Sequence, residues 1–451
     1  MAASTRLTLI AAILGSSIVF IDGSVVNVAL PPIQHDLGGG LAAQQWIVDA
    51  YLLTLGSLIL VGGSLGDIFG EARVFRLGVA WFGLASALCA VAPNVDTLIV
   101  FRGLQGIAGA LLTPASLALI TSTFAGTARG AAIGTWTAWS GISTVIGPLL
   151  GGWLIGVSSW RVIFFLNVPI AIATLVIAAR MPHNESRREN VRVDYVGGAL
   201  CVTGLGALVF GFIEQPRRGW DVAVVASLLA GAAAIAAFVV WERRAPQPML
   251  PLRLFRLRNF SVTNVETFSV YGGLSAWSFF LVLFLQQLAG YSPFRAGLAT
   301  LPVTIVLFAL SRYAGRYSMR YGPRLFMALG PLIAGGSVVV LMRLPAHLNY
   351  WTDLLPPLLG FSLGLALTVA PLTTTVLSDA GPLDAGVASG VNNAVARVAG
   401  LFAIALIGIA ASSGTARLTE HGFHIAMLVT GVLMCAGGAI GAVGIRNPKP
   451  A

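Results

Sequence analysis

Five ionisable residues lie inside stretches that are otherwise apolar: Asp22, Asp49, Arg102, Glu266 and Arg397. Placing such a side chain in hydrocarbon costs roughly 2.5–3.5 kcal/mol on insertion scales, so hydrophobic matching alone does not supply it. A buried carboxyl group can bind and release a proton, because burial favours the neutral acid whereas a nearby arginine favours the carboxylate. These five residues are therefore the first candidates for function.

Arg102 is the expected partner of Asp22. It lies in the segment LIVFRGLQGIAGALLTPA (98–115), where Gly103, Gly106 and Gly109 allow another helix to approach closely. Movement of the arginine relative to the acid would switch the protonation of Asp22, which makes this pair a candidate for proton coupling. The alternative is a static ion pair that only fixes helix packing.

The other three residues leave several interpretations open. Glu266 can be a second proton carrier, a counter-ion for a cationic compound, or an acid held neutral by hydrogen bonds near the start of its helix. Asp49, about one turn inside its helix, can carry a proton or simply be hydrated near an interface. Arg397, close to Asn393, can pair with an acid or donate to backbone carbonyls.

Apolar helices must position these residues, because 57% of the chain is hydrophobic and only 10% is charged. Soluble proteins carry about a quarter charged residues, and one bilayer crossing needs about 20 mostly apolar residues. The sequence predicts an all-α polytopic membrane protein with fourteen spans: 7–30, 45–65, 75–93, 97–120, 131–156, 161–180, 194–214, 221–241, 264–290, 295–317, 325–343, 352–376, 385–411 and 423–445.

The basic residues predict the orientation of these spans. With the N-terminus in the cytoplasm, nineteen of the 27 basic residues fall on the cytoplasmic side and six on the outer side. This is the bias of bacterial inner-membrane proteins with both termini inside. The dispersed charge argues against nucleic-acid binding. The three cysteines and five histidines show no disulfide framework and no metal spacing.

Two polar segments divide the chain, at 181–193 and 242–262. They predict a six-helix bundle (1–180), two extra helices without internal charge and their cytoplasmic flanks (181–262), and a second six-helix bundle (263–451). Transporters are commonly built from such structural repeats.

The segment GSLGDIFGEARVFRLG (63–78) is predicted to be a cytoplasmic loop. Its Gly70 permits a tight turn, and Asp67 and Arg73 can form a breakable ion pair there. With Gly63, these residues are candidates for a conformational lock; the alternative is an ordinary basic loop.

The predicted fifth span has its own pattern of glycine and proline, at Gly134, Gly147, Pro148, Gly151 and Gly152. Proline inside a helix removes a backbone donor and bends it, and paired glycines admit a neighbouring helix. The segment is either a conformational element or merely a bent packing helix.

Together these segments resemble the major facilitator superfamily, specifically its fourteen-helix drug:proton antiporter branch. The resemblance covers essentially the whole chain. It rests on four segments. The matching residues are Asp22, Asn27, Ala29, Leu30 and Pro31 in the first span, with Ser24 for a threonine, and Arg102, Gln105 and Gly106 in the fourth span. In the fifth span they are Gly134, Gly147, Pro148, Gly151 and Gly152, with Ser143 for a glycine, and in the 63–78 loop they are Gly63, Leu65, Asp67 and Gly70. The loop departs from the family pattern at Ile68, Glu71 and Ala72, where basic residues are usual.

This resemblance implies export by alternating access, driven by an inward proton gradient and without a cofactor. It implies a small lipophilic or cationic substrate and a protein that functions as a monomer. The expected cavity residues are Asn27, Gln105, Trp136, Trp139, Tyr271, Trp277, Asn393 and Arg397; aromatic faces suit flat cationic compounds.

Two other functions remain open: a dedicated exporter of an endogenous lipid or secondary metabolite, and a non-transporting membrane sensor. No nucleophile with a base and no metal spacing suggests an enzyme, and no phosphate-binding loop suggests ATP as the energy source.

Overall fold

The structure, a computed structural model, describes residues 3–181, 193–411 and 417–447. At 3, 4, 127, 145 and 381–385 the description is limited to the backbone. Among the basic residues used for the predicted orientation, Arg187, Arg188, Arg192 and Lys449 lie outside the described residues.

Fourteen helices in the described residues are long and apolar enough to cross a membrane. They are Thr5–Leu37, Leu41–Phe69, Glu71–Ala90, Val95–Thr123, Ala128–Val157, Arg161–Ala179, Tyr195–Arg218, Val222–Arg244, Arg258–Gln287, Pro293–Tyr321, Pro323–Leu341, Tyr350–Ala380, Gly386–Ala411 and Glu420–Gly444. The predicted number and order of spans are confirmed. Most helices run past the predicted limits, because helical backbone continues into polar turns where the apolar stretch has already ended.

Two compact units make up the chain. One contains Met1–Leu208, Ser227–Leu250 and Ser292–Arg295, and the other contains Val209–Ala226, Pro251–Tyr291 and Ala296–Ala451. The seventh and eighth spans contribute residues to both units. The predicted division into two six-helix bundles, 1–180 and 263–451, and two extra helices in 181–262 stays a prediction.

The connection between the second and third spans is a single residue, Gly70. It has a φ of 90°, a backbone conformation that residues with a Cβ rarely adopt. The predicted loop at 63–78 is therefore corrected: residues on both sides of Gly70 are helical. One residue in this conformation is enough to join the two helices, so no longer connection is needed.

The thirteenth span and the twelfth from Leu355 onward form one helical stretch, Leu355–Ala411, which follows a π-helical turn at Tyr350–Leu354. Asp379, at the end of the twelfth span, accepts a hydrogen bond from the Phe260 N–H at the start of the ninth span (3.0 Å). Asn392, early in the thirteenth span, donates to Thr267 Oγ1 of the ninth span (2.7 Å). Both spans thus meet at the level where the ninth span begins.

Two buried carboxyl groups lie at the ends of the seventh and eighth spans, Asp194 just before Tyr195 and Glu242 near Arg244. Asp194 Oδ1 accepts hydrogen bonds from the Gly197 N–H and from Trp241 Nε1, both at 2.8 Å, and Glu242 Oε2 accepts from the Leu250 N–H at 2.9 Å. A Cβ at Gly197 would lie 2.6 Å from both Asp194 Oδ2 and Glu242 Oε1, so these two oxygens are neighbours.

Candidate functional site

Asp22 lies at the centre of a buried polar network in the first unit. Its Oδ2 accepts a hydrogen bond from Arg102 Nη1 at 2.5 Å, which confirms the predicted pairing. Its Oδ1 accepts from Gln105 Nε2 at 2.8 Å and from Asn167 Nδ2 at 3.0 Å. All four side chains are at most 1% exposed. Three donors, one of them cationic, therefore stabilise Asp22 as a carboxylate in this conformation.

Arg102 is held on several sides at once. Its Nε donates to the Ile47 carbonyl at 3.1 Å, and its Nη1 also donates to Gln105 Oε1 at 2.5 Å. The guanidinium carbon lies 4.3 Å from the centroid of the Tyr51 ring, a cation–π arrangement. The second span thereby supplies a carbonyl and an aromatic face that fix the arginine against Asp22.

Two members of this network were not predicted from the sequence. Ser86 Oγ accepts from Gln105 Nε2 at 2.8 Å and from Asn167 Nδ2 at 3.3 Å. Asn167 is the only amide side chain in the sixth span, Arg161–Ala179, and that was a usable signal. Ser86 gave none, because single hydroxyls are common in membrane helices. Gln105, expected at a substrate cavity, instead lies buried in the network.

Asp49 is fully buried in the second span, two turns after Leu41. Neither carboxyl oxygen has a hydrogen-bond partner among the described residues. The alternative of an acid hydrated near an interface is therefore corrected: the helix begins earlier than predicted, and neighbouring spans cover the side chain. An unpartnered carboxylate would be costly there, whereas the neutral acid is tolerated.

Glu266, in the second unit, resembles Asp49 of the first unit in its burial. It is fully buried two turns into the ninth span, and both oxygens lack a partner in the described part of the chain. It lies against the fourteenth span, since a Cβ at Gly441 would fall 2.7 Å from Glu266 Oε2. Of the three alternatives for Glu266, the acid held neutral by hydrogen bonds is therefore not what the described residues show. Glycine at 441 provides the room for the carboxyl group.

Arg397 lies on the thirteenth span and is half-buried. It has neither of the expected partners, an acid or a backbone carbonyl, among the described residues. Asn393 donates to the Ser389 carbonyl of its own helix at 3.0 Å and is exposed. Asn392 instead makes the inter-helix contacts, to Asn264 Oδ1 and to Thr267.

The expected cavity aromatics have different surroundings. Trp136 Nε1 donates to Ser16 Oγ at 2.8 Å, and Trp139 is 48% exposed. Trp277 stacks on Phe361 at a centroid distance of 4.4 Å and is buried between spans. Trp277 thus packs in the second unit instead of presenting its face to a ligand. Asn27 and Tyr271 are half-buried.

The fifth span packs closely on the first span. A Cβ at Gly147 would overlap Ser24 Oγ, and one at Gly151 would overlap Val25 Cγ2. Ser143, which replaces a family glycine, donates to Ser17 Oγ at 2.8 Å. Pro148 lies inside the helix. Gly152 approaches the backbone of Pro293 and Phe294, whereas Gly134 faces open space.

Next to Gly70, Glu71 makes a polar contact; this residue departs from the family pattern. Glu71 Oε2 accepts a hydrogen bond from Ser122 Oγ of the fourth span at 2.6 Å. Asp67 is half-buried and Arg73 is exposed. Gly63 faces Pro114, with 3.8 Å between the Pro114 Cβ and a Cβ built at Gly63. An acid–hydroxyl contact thus occurs at a position where the family usually has a basic residue.

No group of three His, Cys, Asp or Glu side chains in the described residues could hold a metal ion. Cys89, Cys201 and Cys435 are free thiols.

Comparison with known proteins gives a family match along most of the chain. The model of the Major Facilitator Superfamily matches residues 12–404. The puromycin resistance protein of Streptomyces alboniger is 36% identical, over 92% of this chain and 84% of its own length. The tetracenomycin C resistance and export protein of Streptomyces glaucescens is 36% identical, over 90% and 76%. The cephamycin export protein of Amycolatopsis lactamdurans is 36% identical, over 92% and 89%.

Solved structures of transporters share the fold. A D-xylose–proton symporter superposes with a TM-score of 0.70 at 14% identity, over 99% of both chains. A peptide transporter in complex with sulfate gives a TM-score of 0.70 at 16% identity, over 96% of this chain and 93% of its own. At these identities the likeness establishes the fold alone.

Proposed function

This chain belongs to the major facilitator superfamily, and on that premise we propose that it exports small lipophilic or cationic compounds in exchange for protons. It is a multi-pass membrane protein whose fourteen spans fit the fourteen-helix drug:proton antiporter branch. The proposed location is a bacterial inner membrane with both termini in the cytoplasm. The two predicted bundles, 1–180 and 263–451, would alternate in access with the helices of 181–262 between them.

The observation that carries export is the match to three proteins named for resistance or export, each over at least 90% of this chain. Those names favour a second candidate as well. Each refers to one compound, puromycin, tetracenomycin C or cephamycin, so a dedicated exporter of a single metabolite is the rival of a broad drug exporter.

Proton coupling is supported by the contrast between the buried acids. Asp22 is a paired carboxylate with three donors, and it would take a proton only when Arg102 and Gln105 withdraw. Glu266 and Asp49 are buried without a described partner, which suits acids that carry a proton through the bilayer. In the proposed cycle, conformational change breaks the Asp22–Arg102 pair and proton binding stabilises the broken state.

The residues proposed to meet the substrate are those of the expected cavity set that keep exposed surface. In the first unit these are Asn27, Trp136 and Trp139, and in the second Tyr271, Asn393 and Arg397. The guanidinium group of Arg397 can contact either an aromatic ring or an acidic group of a ligand.

Proteoliposomes with an imposed pH gradient test this proposal. Puromycin and a lipophilic cationic dye would be offered to the wild type and to the Asp22→Asn and Glu266→Gln variants. Gradient-driven uptake in the wild type and its loss in Asp22→Asn are expected. Asp96→Asn, which neutralises an exposed acid at the start of the fourth span, is the matched control and should transport normally.

Movement of substrate by the wild type without a gradient would contradict proton exchange. Normal transport by Asp22→Asn would exclude Asp22 as the coupling residue and leave Glu266 and Asp49. Uptake of one compound to the exclusion of the others would favour the dedicated exporter.

A further inference from the structure

The tenth span, Pro293–Tyr321, ends in a regular series of arginines. Arg312, Arg316 and Arg320 are spaced by four residues and are all exposed. In a helix this spacing puts them on one face, along about 12 Å of its length. Three like charges in such a row repel one another, so the row is unfavourable unless an anion lies beside it.

A second series, of tyrosines, runs beside the first with the same spacing. Tyr313, Tyr317 and Tyr321 are 44%, 47% and 58% exposed. The Arg312 guanidinium lies 5.3 Å from the Tyr313 ring centroid, and that of Arg320 lies 5.5 Å from the Tyr321 centroid. Tyrosine prefers the boundary between hydrocarbon and water, where its ring is apolar and its hydroxyl is wet. We call these six residues the Arg–Tyr stripe.

Packing on the other side of the helix fixes which way the stripe faces. Ala314 and Ser318, one turn apart, are each only 3% exposed. Gly315 lies against Ala370 of the twelfth span, with 3.4 Å from a built Cβ to the Ala370 Cβ. The helix therefore cannot rotate to bury the arginines without exposing this packed face.

The guanidinium groups of the stripe are also not used for capping helices. Elsewhere in the second unit, Arg258 Nε donates to the Gly444 carbonyl at 2.8 Å and Arg324 Nε to the Ala442 carbonyl at 2.6 Å. Arg312, Arg316 and Arg320 have no acidic or carbonyl partner among the described residues. Within the described residues their hydrogen-bond donors are therefore unused.

We propose that the Arg–Tyr stripe binds the phosphate headgroups of anionic phospholipids in the leaflet at this end of the tenth span. The stripe occupies the last turns of a membrane span, so lipid is its nearest source of negative charge. Guanidinium groups bind phosphate through paired hydrogen bonds, and clusters of basic residues at the ends of spans attract anionic lipids. Orientation of the chain needs only positive charge, whereas lipid binding also accounts for the shared face and the parallel tyrosines.

The test uses the purified full-length protein in neutral detergent, with thermal unfolding followed as phosphatidylglycerol or phosphatidylcholine is added. We expect phosphatidylglycerol to raise the unfolding temperature of the wild type more than phosphatidylcholine does. In the Arg312→Gln/Arg316→Gln variant the apparent affinity for phosphatidylglycerol should fall roughly tenfold to a hundredfold. The Arg312→Lys/Arg316→Lys variant keeps the charge but loses the planar guanidinium group. Its apparent affinity for phosphatidylglycerol should lie between those of the wild type and the Gln variant.

The matched control is Arg243→Gln/Arg244→Gln, which removes two exposed arginines at the end of the eighth span. It changes net charge equally and should respond to phosphatidylglycerol as the wild type does. An equal loss in this control would overturn the proposal in favour of general charge attraction. So would an undiminished response in the Gln variant, or inorganic phosphate giving the same stabilisation as the lipid. None of these outcomes depends on transport, so the test is independent of the proposed function.

Discussion

Three fully buried carboxyl groups inside the spans fall into two classes at the scale of single residues. Asp22 receives hydrogen bonds from Arg102, Gln105 and Asn167, whereas Asp49 and Glu266 have no partner among the described residues. Neutralising a paired carboxylate removes a strong interaction. Neutralising an unpartnered one removes little. The two classes should therefore respond in opposite ways to the same chemical change.

Asp22→Asn leaves Arg102 buried without a counter-ion. Breaking a buried ion pair from one side typically costs about 3–5 kcal/mol, so a large loss of unfolding free energy is expected. Denaturation of the purified protein measures it. The double variant Asp22→Asn/Arg102→Gln removes both charges and should recover much of the loss. Additive losses in the double variant would show that the two residues are not coupled.

Glu266→Gln and Asp49→Asn should change stability far less than Asp22→Asn, because neither acid has a described partner to lose. An amide of the same shape replaces the neutral acid and stays uncharged. The same denaturation measurement applies. A loss as large as that of Asp22→Asn would reveal a paired carboxylate at that position.

At the scale of elements, the contact between the first and fifth spans depends on missing side chains. Gly147→Ala and Gly151→Ala would press a methyl group into Ser24 and Val25, and overpacking of this kind costs about 1–3 kcal/mol. Thermal unfolding of each variant would measure the loss.

Gly134→Ala is the matched control on the same helix, since a Cβ there meets open space. It should be neutral or stabilising by up to about 1 kcal/mol, because alanine favours the helix. Equal changes in the unfolding temperature for the three variants would contradict the close approach seen at Gly147 and Gly151.

The spans were predictable and much of the polar network was not. A span needs about 20 apolar residues, and that length is visible in any sequence, so all fourteen were found. Asp22 and Arg102 stood out because ionisable residues are rare in spans. Ser86 did not stand out. Asn167, the only amide side chain of its span, could be singled out but not paired, because the rotation of each helix about its axis decides which side chains meet. A single sequence does not contain that rotation.

Short connections and helix ends were predicted least well, for a related reason. The 63–78 segment was read as a loop because it is polar, yet one glycine with positive φ is enough to join its two helices. Asp194 and Glu242 lie at helix ends beside polar segments, yet each is less than 10% exposed. Polarity marks the end of an apolar stretch and does not mark the end of a helix.

At the scale of the whole molecule, the distribution of arginine predicts which side of the membrane each connection occupies. Single cysteines placed at Arg217 and Arg243 test it. A membrane-impermeant maleimide should label Arg217→Cys in intact cells and Arg243→Cys only after permeabilisation. Cys89 and Cys201 are buried and Cys435 is half-buried, so the background should be low. The reverse pattern of labelling would invert the proposed topology.

The network around Asp22 also has a consequence for biosynthesis. Arg102 follows Asp22 by 80 residues and Asn167 follows it by 145. At roughly 5–20 residues per second, the ribosome delivers the arginine about 4–16 seconds after the acid. During that interval the nascent first span has no guanidinium beside its carboxyl group, so Asp22 must wait protonated or at the lipid–water boundary. The network is complete only when the sixth span, which carries Asn167, has been synthesised. Final packing of the first span therefore depends on synthesis of the sixth.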